Sequence, residues 1–284
     1  MSNPAASDDR ALESTGAVSL VVTDLDGTFW HTDDHVDRTV LDAVDRLGEQ
    51  GVPLLVATGR RLASTRAPLA RVGLAPPAVV LNGALGVDLT SGERFHCSAF
   101  TAGDATGVLD ALVAIGLAPV VYVDHHCYDV FLAPEPSTHP DHVVQLGASA
   151  GIDDLGRVGQ EETVLAFSMI GVEAAAASAA ADAIGELAET HVDRSLDFPG
   201  RASFTCAPRG QSKWDGVLAY CSHRGVDPTR VLALADGPND VELLDNAAIR
   251  LVPEVAHPAA KARADHLIPA AAAGGWRHVL DHLG

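Results

Sequence analysis

Residues 19–28 read Ser-Leu-Val-Val-Thr-Asp-Leu-Asp-Gly-Thr, an apolar run of strand length that ends in two carboxylates. A continuous run of Val and Leu predicts a strand buried on both faces, as in parallel sheets. Asp24 and Asp26, two residues apart at its end, offer a nucleophile beside a general acid/base, or ligands for a hard cation. A plain turn is the competing interpretation, because Asp and Gly are common turn residues.

The same pattern recurs three more times along the chain. Apolar runs end in polar residues at Thr58-Gly59-Arg60, at Asn82-Gly83 and at residues 236–240, which read Asp-Gly-Pro-Asn-Asp. Residues 37–50 have apolar side chains at helical spacing and complete a strand–helix–strand unit. Ligands of open parallel sheets bind beyond the carboxyl ends of the strands, so we expect these polar clusters at one edge. The predicted fold class is α/β, with a Rossmann-like parallel sheet as its core.

The middle of the chain follows a different pattern. Predicted strands and helices alternate irregularly there, and Ser91-Gly92 separates two strand-like runs as in a hairpin. We expect residues 87–207 to form an inserted α+β cap domain, and residues 18–86 and 208–284 to form the discontinuous core. Residues 1–17 are small, polar and acidic, without the basic start and apolar run of a secretory signal, and are predicted to be a flexible tail.

Composition limits the possible partners. The chain has 284 residues, 47% of them hydrophobic, and a formal net charge of −19. Its surface would repel a phosphate backbone or an anionic bilayer, so neither nucleic acid nor a membrane is an expected partner. The four cysteines are scattered without a CxxC pair, which predicts reduced thiols in a cytoplasmic protein. We expect a monomer or homodimer that acts on a small molecule.

The acidic residues 236–240 add oxygen ligands at another predicted strand end. By themselves they also fit a capped turn. Together with Asp24 and Asp26 they place several carboxylates close together, and these repel one another unless a cation lies among them. Magnesium bound by carboxylates, water and a substrate phosphate meets that requirement.

Four motifs, in this order along the chain, resemble those of the haloacid dehalogenase (HAD)-like hydrolase superfamily. Residues 24–28 resemble its nucleophile motif, Thr58 its phosphate-binding Ser/Thr, Lys213 its lysine motif and residues 236–240 its acidic motif. The place of the insertion resembles the large-cap (Cof-type, class IIB) phosphatases. For Lys213 the alternative is an exposed surface lysine.

The resemblance implies a magnesium-dependent phosphatase that forms an aspartyl-phosphate intermediate. Asp24 would attack phosphorus, Asp26 would protonate the leaving oxygen and then activate water, and Lys213 would balance negative charge. The implied catalytic and metal-binding residues are Asp24, Asp26, Thr58 and Lys213 for catalysis, and Asp24, Asp26 (through its carbonyl), Asp236 and Asp240 for Mg²⁺. The implied phosphate-side and substrate-binding residues are Thr58, Gly59, Arg60, Asn82 and Asn239. An exposed helix start is the alternative for Arg60.

The predicted cap domain carries spare polar and aromatic side chains. We expect His125, His126 and Tyr128 to contact the substrate and to set substrate choice. An exposed turn between strands is the alternative, and a transition-metal site that includes Cys127 lacks paired ligand spacing. The expected substrate is a small phosphorylated metabolite, with a sugar phosphate as the leading candidate.

Three other functions stay open at this point. One is a phosphomutase of the same superfamily, and another is a non-catalytic relative that binds a metabolite. The third is a serine hydrolase, because residues 147–151 match the G-x-S-x-G pattern. That nucleophile elbow requires a strong strand before the serine and a helix after it, and the sequence predicts neither.

Overall fold

A computed structural model of the protein describes residues 18–31, 34–134, 137–195 and 198–283. The predicted tail, residues 1–17, lies outside the described residues. Two β-sheets and their helices account for the fold. Within the described ranges, no helix has both the length and the apolar character needed to cross a bilayer.

The larger sheet contains eight strands and the smaller sheet six. Strands of the larger sheet are β1 (Leu20–Thr23), β2 (Leu54–Ala57), β3 (Ala78–Val80), β4 (Leu85–Val87), β5 (Arg94–Cys97), β12 (Val231–Leu234), β13 (Ile249–Pro253) and β14 (His266–Ile268). Strands of the smaller sheet are β6 (Val120–Val123), β7 (Val130–Leu132), β8 (Gly151–Ile152), β9 (Val164–Val172), β10 (Glu189–Arg194) and β11 (Ala202–Ala207).

Helices connect and cover these strands. The α-helices are α1 (Arg38–Glu49), α2 (Leu62–Arg71), α3 (Ala102–Ala114), α4 (Pro140–Leu146), α5 (Leu155–Glu161), α6 (Ala174–Ile184), α7 (Lys213–Arg224), α8 (Val241–Asn246) and α9 (Pro258–Lys261). Short 3-10 helices are Leu81–Gly83, Gly147–Ser149, Gly185–Leu187, Pro228–Arg230, Pro238–Asp240, Ala271–Ala273 and Gly275–His282.

The strand order of the larger sheet is β14-β13-β12-β1-β2-β3-β4-β5. The strands from β14 to β3 are parallel, which confirms the predicted α/β class. Val22 of β1 lies between Leu55 of β2 and Ala233 of β12. The chain leaves β1 towards β2 on one side and returns through β12 on the other. The carboxyl ends of strands at such a reversal are where open parallel sheets bind ligands.

Both faces of the central strands β1, β2, β3 and β12 are buried, which is why these strands are largely apolar runs. On one face Val21 belongs to an apolar cluster with Leu47 of α1 and Trp276 near the carboxyl terminus. On the other face Val22 belongs to a cluster with Val217 of α7. The predicted helix 37–50 is present as α1, and the Asp37 side chain caps it by accepting a hydrogen bond from the Thr39 amide.

The predicted hairpin is an edge of the larger sheet. Strand β4 pairs antiparallel with β3, with Leu85 opposite Val80, and β5 pairs antiparallel with β4. A domain boundary at residue 87 does not agree with this pairing, because it would cut through the hairpin. The turn residues predict a hairpin but carry no information about which sheet it joins. We propose that the insertion, here called the cap module, comprises residues 98–207.

The cap module contains the smaller sheet, in the order β10-β11-β9-β6-β7-β8. Helices α3, α5 and α6 cover one face and form an apolar cluster with it. Side chains of the opposite face, such as Tyr122, Leu132 and Leu165, belong to the same apolar cluster as Val21 of the larger sheet. The second face of the cap sheet is therefore turned towards the core.

Candidate active site

The carboxyl ends of three neighbouring strands deliver the predicted catalytic residues to one edge. Asp24 directly follows β1, Thr58 directly follows β2, and Asp236 comes two residues after β12. Lys213 reaches the same place from the first turn of α7. Thr58 and Lys213 are each 1% exposed and Asp24 is 7% exposed. The polar residues that the sequence analysis placed at one edge are thus brought together by the sheet.

Lys213 is fully buried between two carboxylates. Its Nζ donates to Asp24 Oδ1 at 2.7 Å and to Asp240 Oδ1 at 2.5 Å. The alternative of an exposed surface lysine is therefore wrong. The capping box of Ser212 and Asp215 fixes the start of α7 and so the origin of the Lys213 side chain.

The backbone before Lys213 is packed tightly against the loop that follows β3. A Cβ on Gly83 would lie 2.0 Å from the Ser212 carbonyl oxygen, and Gly83 has a φ of +109°. Only glycine fits this position. Gln211 adds a hydrogen bond from Nε2 to the Leu81 carbonyl oxygen at 2.9 Å. These contacts hold residues 211–212 against the core.

Asp24, Asp236 and Asp240 form an acidic group, with Asp236 partly exposed and the other two buried, whose ligand oxygens lie within 4.8 Å of one another. Burial raises the pKa of Asp24 to about 8; Lys213 opposes the shift, and Asp240 and Asp236 add to it. Burial and then the charge of Asp240 raise the pKa of Asp236 to about 6. One ammonium group does not balance three carboxylates, so the site favours an additional cation.

The donor atoms of this group fit a hard divalent cation. Asp24 and Asp236 each have one oxygen, Oδ2, without a hydrogen-bond partner in the described part of the chain. Both oxygens of Asp240 are engaged, by Lys213 Nζ and by the Gly237 amide at 2.9 Å. Asp24 and Asp236 are thus suited to bind a metal directly, whereas Asp240 supports them. Carboxylate oxygens in such a cluster are compatible with a divalent metal.

Asp236 lies against the backbone that follows Asp26. A Cβ on Gly27 would be 2.4 Å from Asp236 Oδ2, and Gly27 has a φ of +78°. The Thr28 hydroxyl donates to Asp236 Oδ1 at 3.0 Å. Because Gly27 has no side chain, Asp236 can pack against residues 27–28, although Thr28 and Asp236 are 208 residues apart in the chain.

The Asp26 carboxylate is outside that acidic group and is held by other residues. Arg60 donates from Nη2 to Oδ1 at 2.5 Å and from Nε to Oδ2 at 2.6 Å. The Trp30 indole donates to Oδ1 at 3.0 Å, and Arg60 also pairs with Asp34 at 2.7 Å. That Arg60 binds the substrate stays a prediction; here its guanidinium is engaged by carboxylates. Trp30 and Asp34 are not among the site residues predicted from the sequence, although Trp30 stands only four residues after Asp26.

Two amide side chains lie beside the phosphate-binding candidates. Asn239 Nδ2 donates to Asn82 Oδ1 at 2.9 Å, and a Cβ on Gly59 would be 3.0 Å from that same oxygen. Asn82 has a φ of +54°, in the left-handed region. The Thr58 hydroxyl accepts from the Arg60 amide at 3.2 Å. The structure thus places Thr58, Gly59, Asn82 and Asn239 together, and their role in substrate binding stays a prediction.

The cap candidates lie on the turn between β6 and β7. The His125 ring is parallel to the Tyr128 ring with centroids 6.1 Å apart, and it lies 4.2 Å from the His126 ring. Tyr128 is exposed. Their role in substrate choice is still a prediction.

Ion pairs tie both ends of this turn to the core. Asp124, before the turn, accepts from Arg94 Nη2 at 2.8 Å. Asp129, after the turn, accepts from Arg61 Nη1 at 2.5 Å and, through its other oxygen, from the Ala63 amide at 2.7 Å. Because Arg61 follows Arg60 in the chain, the turn is anchored next to the site.

The remaining motifs of the sequence do not form sites of their own. Ser149 lies in a 3-10 turn after α4, where its hydroxyl accepts from Arg61 and donates to the Leu146 carbonyl oxygen. Since no strand precedes it, the serine-hydrolase interpretation is wrong. Among the described residues, Cys127 belongs to no group of three or more candidate metal ligands.

Comparison with known proteins agrees with this geometry. Residues 21–280 match the sequence profile of the haloacid dehalogenase-like hydrolases. A phosphoglycolate phosphatase from Methanopyrus kandleri is 25% identical over 259 residues, covering 89% of this chain and 91% of the relative. A solved HAD phosphatase from Bacteroides thetaiotaomicron has a TM-score of 0.77 at 20% identity, covering 98% of this chain and 99% of its own. A solved HAD subclass IIB sugar phosphatase has a TM-score of 0.71 at 18% identity, covering 93% and 98%. At these identities the solved structures share the fold.

Proposed function

Because the chain belongs to the haloacid dehalogenase-like hydrolases and is a phosphatase of that superfamily, we propose that it hydrolyses a small phosphorylated metabolite with magnesium through an aspartyl-phosphate. The observation that carries this proposal is the buried Asp24 beside Lys213, with one carboxylate oxygen free for chemistry. A sugar phosphate is the leading substrate class, supported by the likeness to the subclass IIB sugar phosphatase.

In the first step a carboxylate oxygen of Asp24 attacks phosphorus while the bond from phosphorus to the ester oxygen breaks. The proton carried by Asp26 passes to the leaving oxygen and completes the alcohol product, leaving Asp26 as a carboxylate. Lys213 would offset the charge on Asp24 and the phosphoryl group, and the Thr58 hydroxyl would donate to a phosphoryl oxygen.

In the second step Asp26 accepts a proton from water, whose oxygen attacks phosphorus. The bond from phosphorus to Asp24 breaks, which releases inorganic phosphate and restores both aspartates. Asp24 and Asp236 would hold Mg²⁺, with the Asp26 carbonyl as a third ligand and Asp240 as support. When bound, the metal supplies positive charge to the phosphoryl oxygens.

Phosphate release from a panel of phosphorylated metabolites tests the proposal. The panel includes hexose and pentose phosphates, glycerol phosphate and 2-phosphoglycolate. We expect activity only with Mg²⁺: EDTA reduces phosphate release to background and added magnesium restores it, because the acidic group lacks charge balance without a cation. Release without any acceptor excludes a phosphomutase. Full turnover in a metal-free sample would overturn the metal assignment.

Magnesium binding is measured independently of turnover by calorimetry. Asp236→Asn removes a direct ligand and is expected to weaken binding by at least about ten-fold. Asp245→Asn is the matched control, since Asp245 lies on α8 in a half-exposed ion pair with Arg263. Equal magnesium affinity in both variants would contradict the assignment of Asp236.

The cap module is expected to set substrate choice, because the proposed roles of the core side chains at the site involve only the phosphoryl group and the metal. Replacing His125, His126 and Tyr128 together with alanine should change the ranking of metabolites in the panel. Hydrolysis of the small 4-nitrophenyl phosphate should change less, because it needs few cap contacts. Alanine at Val113 and Ile115, exposed residues in and directly after cap helix α3, is the control. An unaltered ranking in the triple variant would place specificity elsewhere.

A further inference from the structure

Among the described residues, two side chains hold the Asp26 carboxylate through three hydrogen bonds. Oδ1 accepts from both Trp30 Nε1 and Arg60 Nη2, and Oδ2 accepts from Arg60 Nε. The Asp26 side chain remains 39% exposed. Rotation of the carboxylate about its Cβ–Cγ bond would break these hydrogen bonds, so they fix the plane of the carboxylate. Oδ2 accepts fewer hydrogen bonds than Oδ1.

Trp30 is the rigid member of this arrangement. It ends a tight turn in which its amide donates to the Leu25 carbonyl oxygen at 3.0 Å, and its carbonyl oxygen accepts from the Gly27 amide at 2.9 Å. Its side chain is 1% exposed and packs edge-on against Phe29, with ring centroids 5.9 Å apart. A buried indole held in this way cannot follow Asp26 if the carboxylate turns.

Trp30 also fixes the second donor. The Arg60 guanidinium carbon lies 5.0 Å from the centroid of the Trp30 ring, within the range of a cation–π contact. Asp34 pairs with the same guanidinium at 2.7 Å. One aromatic side chain therefore donates to Asp26 directly and supports the arginine that binds both of its oxygens.

We infer that Trp30 is a positioning residue for Asp26, which orients the carboxyl group for proton transfer to the leaving oxygen. Trp30 has this role only if Asp26 is the acid of the proposed function. In that step the bond from phosphorus to the ester oxygen breaks and the Asp26 proton moves to that oxygen. A basic alkoxide leaving group depends on this proton, whereas 4-nitrophenolate leaves without it. The loss of kcat/KM on replacing Trp30 should therefore increase with the basicity of the leaving group.

Three phosphate esters of similar shape provide the test: 4-nitrophenyl, phenyl and benzyl phosphate, in order of rising leaving-group basicity. Trp30→Phe keeps a ring beneath Arg60 and removes the indole N–H. We expect kcat/KM for benzyl phosphate to fall about ten-fold, the effect of losing one hydrogen bond to a charged acceptor. For 4-nitrophenyl phosphate the fall should be less than about two-fold. The ratio of the two values does not depend on how much of the variant is folded.

Trp276→Phe is the matched control. Trp276 is also fully buried and also donates its indole N–H, to the Thr23 hydroxyl at 2.9 Å. Trp276→Phe should leave the ratio of the kcat/KM values for benzyl and 4-nitrophenyl phosphate unchanged. If Trp30→Phe does not yield soluble protein, replacement of Trp30 by benzothienylalanine exchanges the N–H for sulfur with little change in shape.

The outcomes separate this inference from the proposed function. An equal fall for all three esters, or no fall, with Trp30→Phe would overturn the positioning role. Asp26→Asn should show the same leaving-group dependence more strongly. If Asp26→Asn shows it and Trp30→Phe does not, only the inference about Trp30 fails. If the unaltered enzyme hydrolyses none of the esters or metabolites with magnesium, the proposed function itself fails.

Discussion

Asp24→Asn is expected to lower kcat by roughly four orders of magnitude, because a neutral amide cannot attack phosphorus. The same change should not destabilise the metal-free protein. Since the pKa of Asp24 is raised from 3.8 to about 8, the folded state holds this proton more tightly than the unfolded state does. The contribution of Asp24 to stability therefore declines as pH rises between those values. Asparagine does not titrate, so the variant lacks this decline. The free energy of unfolding of Asp24→Asn, relative to that of the unaltered protein, should therefore increase from pH 5 to pH 8.

Urea unfolding at several pH values and initial rates with magnesium measure the two effects. Asp104→Asn is the control, because it makes the same chemical change at an exposed residue in the first turn of α3. It should retain full activity. Near-normal turnover of Asp24→Asn, after mass spectrometry excludes deamidation, would contradict the aspartyl-phosphate mechanism.

Lys213→Met should be the most destabilising of these substitutions. It leaves Asp24 and Asp240 buried without their shared cation, and breaking such a pair costs about 3–5 kcal/mol of unfolding free energy. Activity should fall about 10²- to 10³-fold, the loss expected for one electrostatic contact to a developing charge. Added magnesium should raise the melting temperature of this variant more than that of the unaltered protein, because the metal offsets part of the missing charge.

A double-mutant cycle assigns the effect to the ion pair. In the Asp24→Asn background, Lys213→Met should lose clearly less stability, since one of its two buried carboxylates is already neutral. Lys261→Met is the control, because Lys261 lies exposed on α9 and its removal should cost less than about 0.5 kcal/mol. Equal losses in both backgrounds would show that Lys213 acts by packing alone.

The layout of the core could be predicted from local sequence signals. Buried parallel strands require apolar side chains on both faces, so β1, β2, β3 and β12 are visible as continuous Val, Leu and Ala runs. Polar residues that follow such runs lie at one sheet edge by geometry. That is why Asp24, Thr58 and Asp236 could be grouped from the sequence alone, although they are far apart in the chain.

Contacts that depend on side-chain direction or on distant pairing could not be predicted in this way. The sequence around residues 91–92 indicates a hairpin, but only the pairing of β4 with β3 shows which sheet it joins. Arg60 carries no sequence signal for a partner, and its contact with Asp26 spans 34 residues. Arg61 and Asp129 are 68 residues apart, and only the packing of the cap module against the core brings them together.

The contacts of residues 211–212 with the core anchor the chain between the cap module and Lys213. Gly83 admits no side chain against the Ser212 carbonyl, and Gln211 is bonded to Leu81, so the chain is anchored before Lys213 begins α7. On this side of the cap module, any change in its orientation relative to the core would require backbone changes in residues 208–210. The position of the Lys213 ammonium group beside Asp24 is therefore set by contacts within the core. The charge balance at Asp24 does not depend on where the cap module lies.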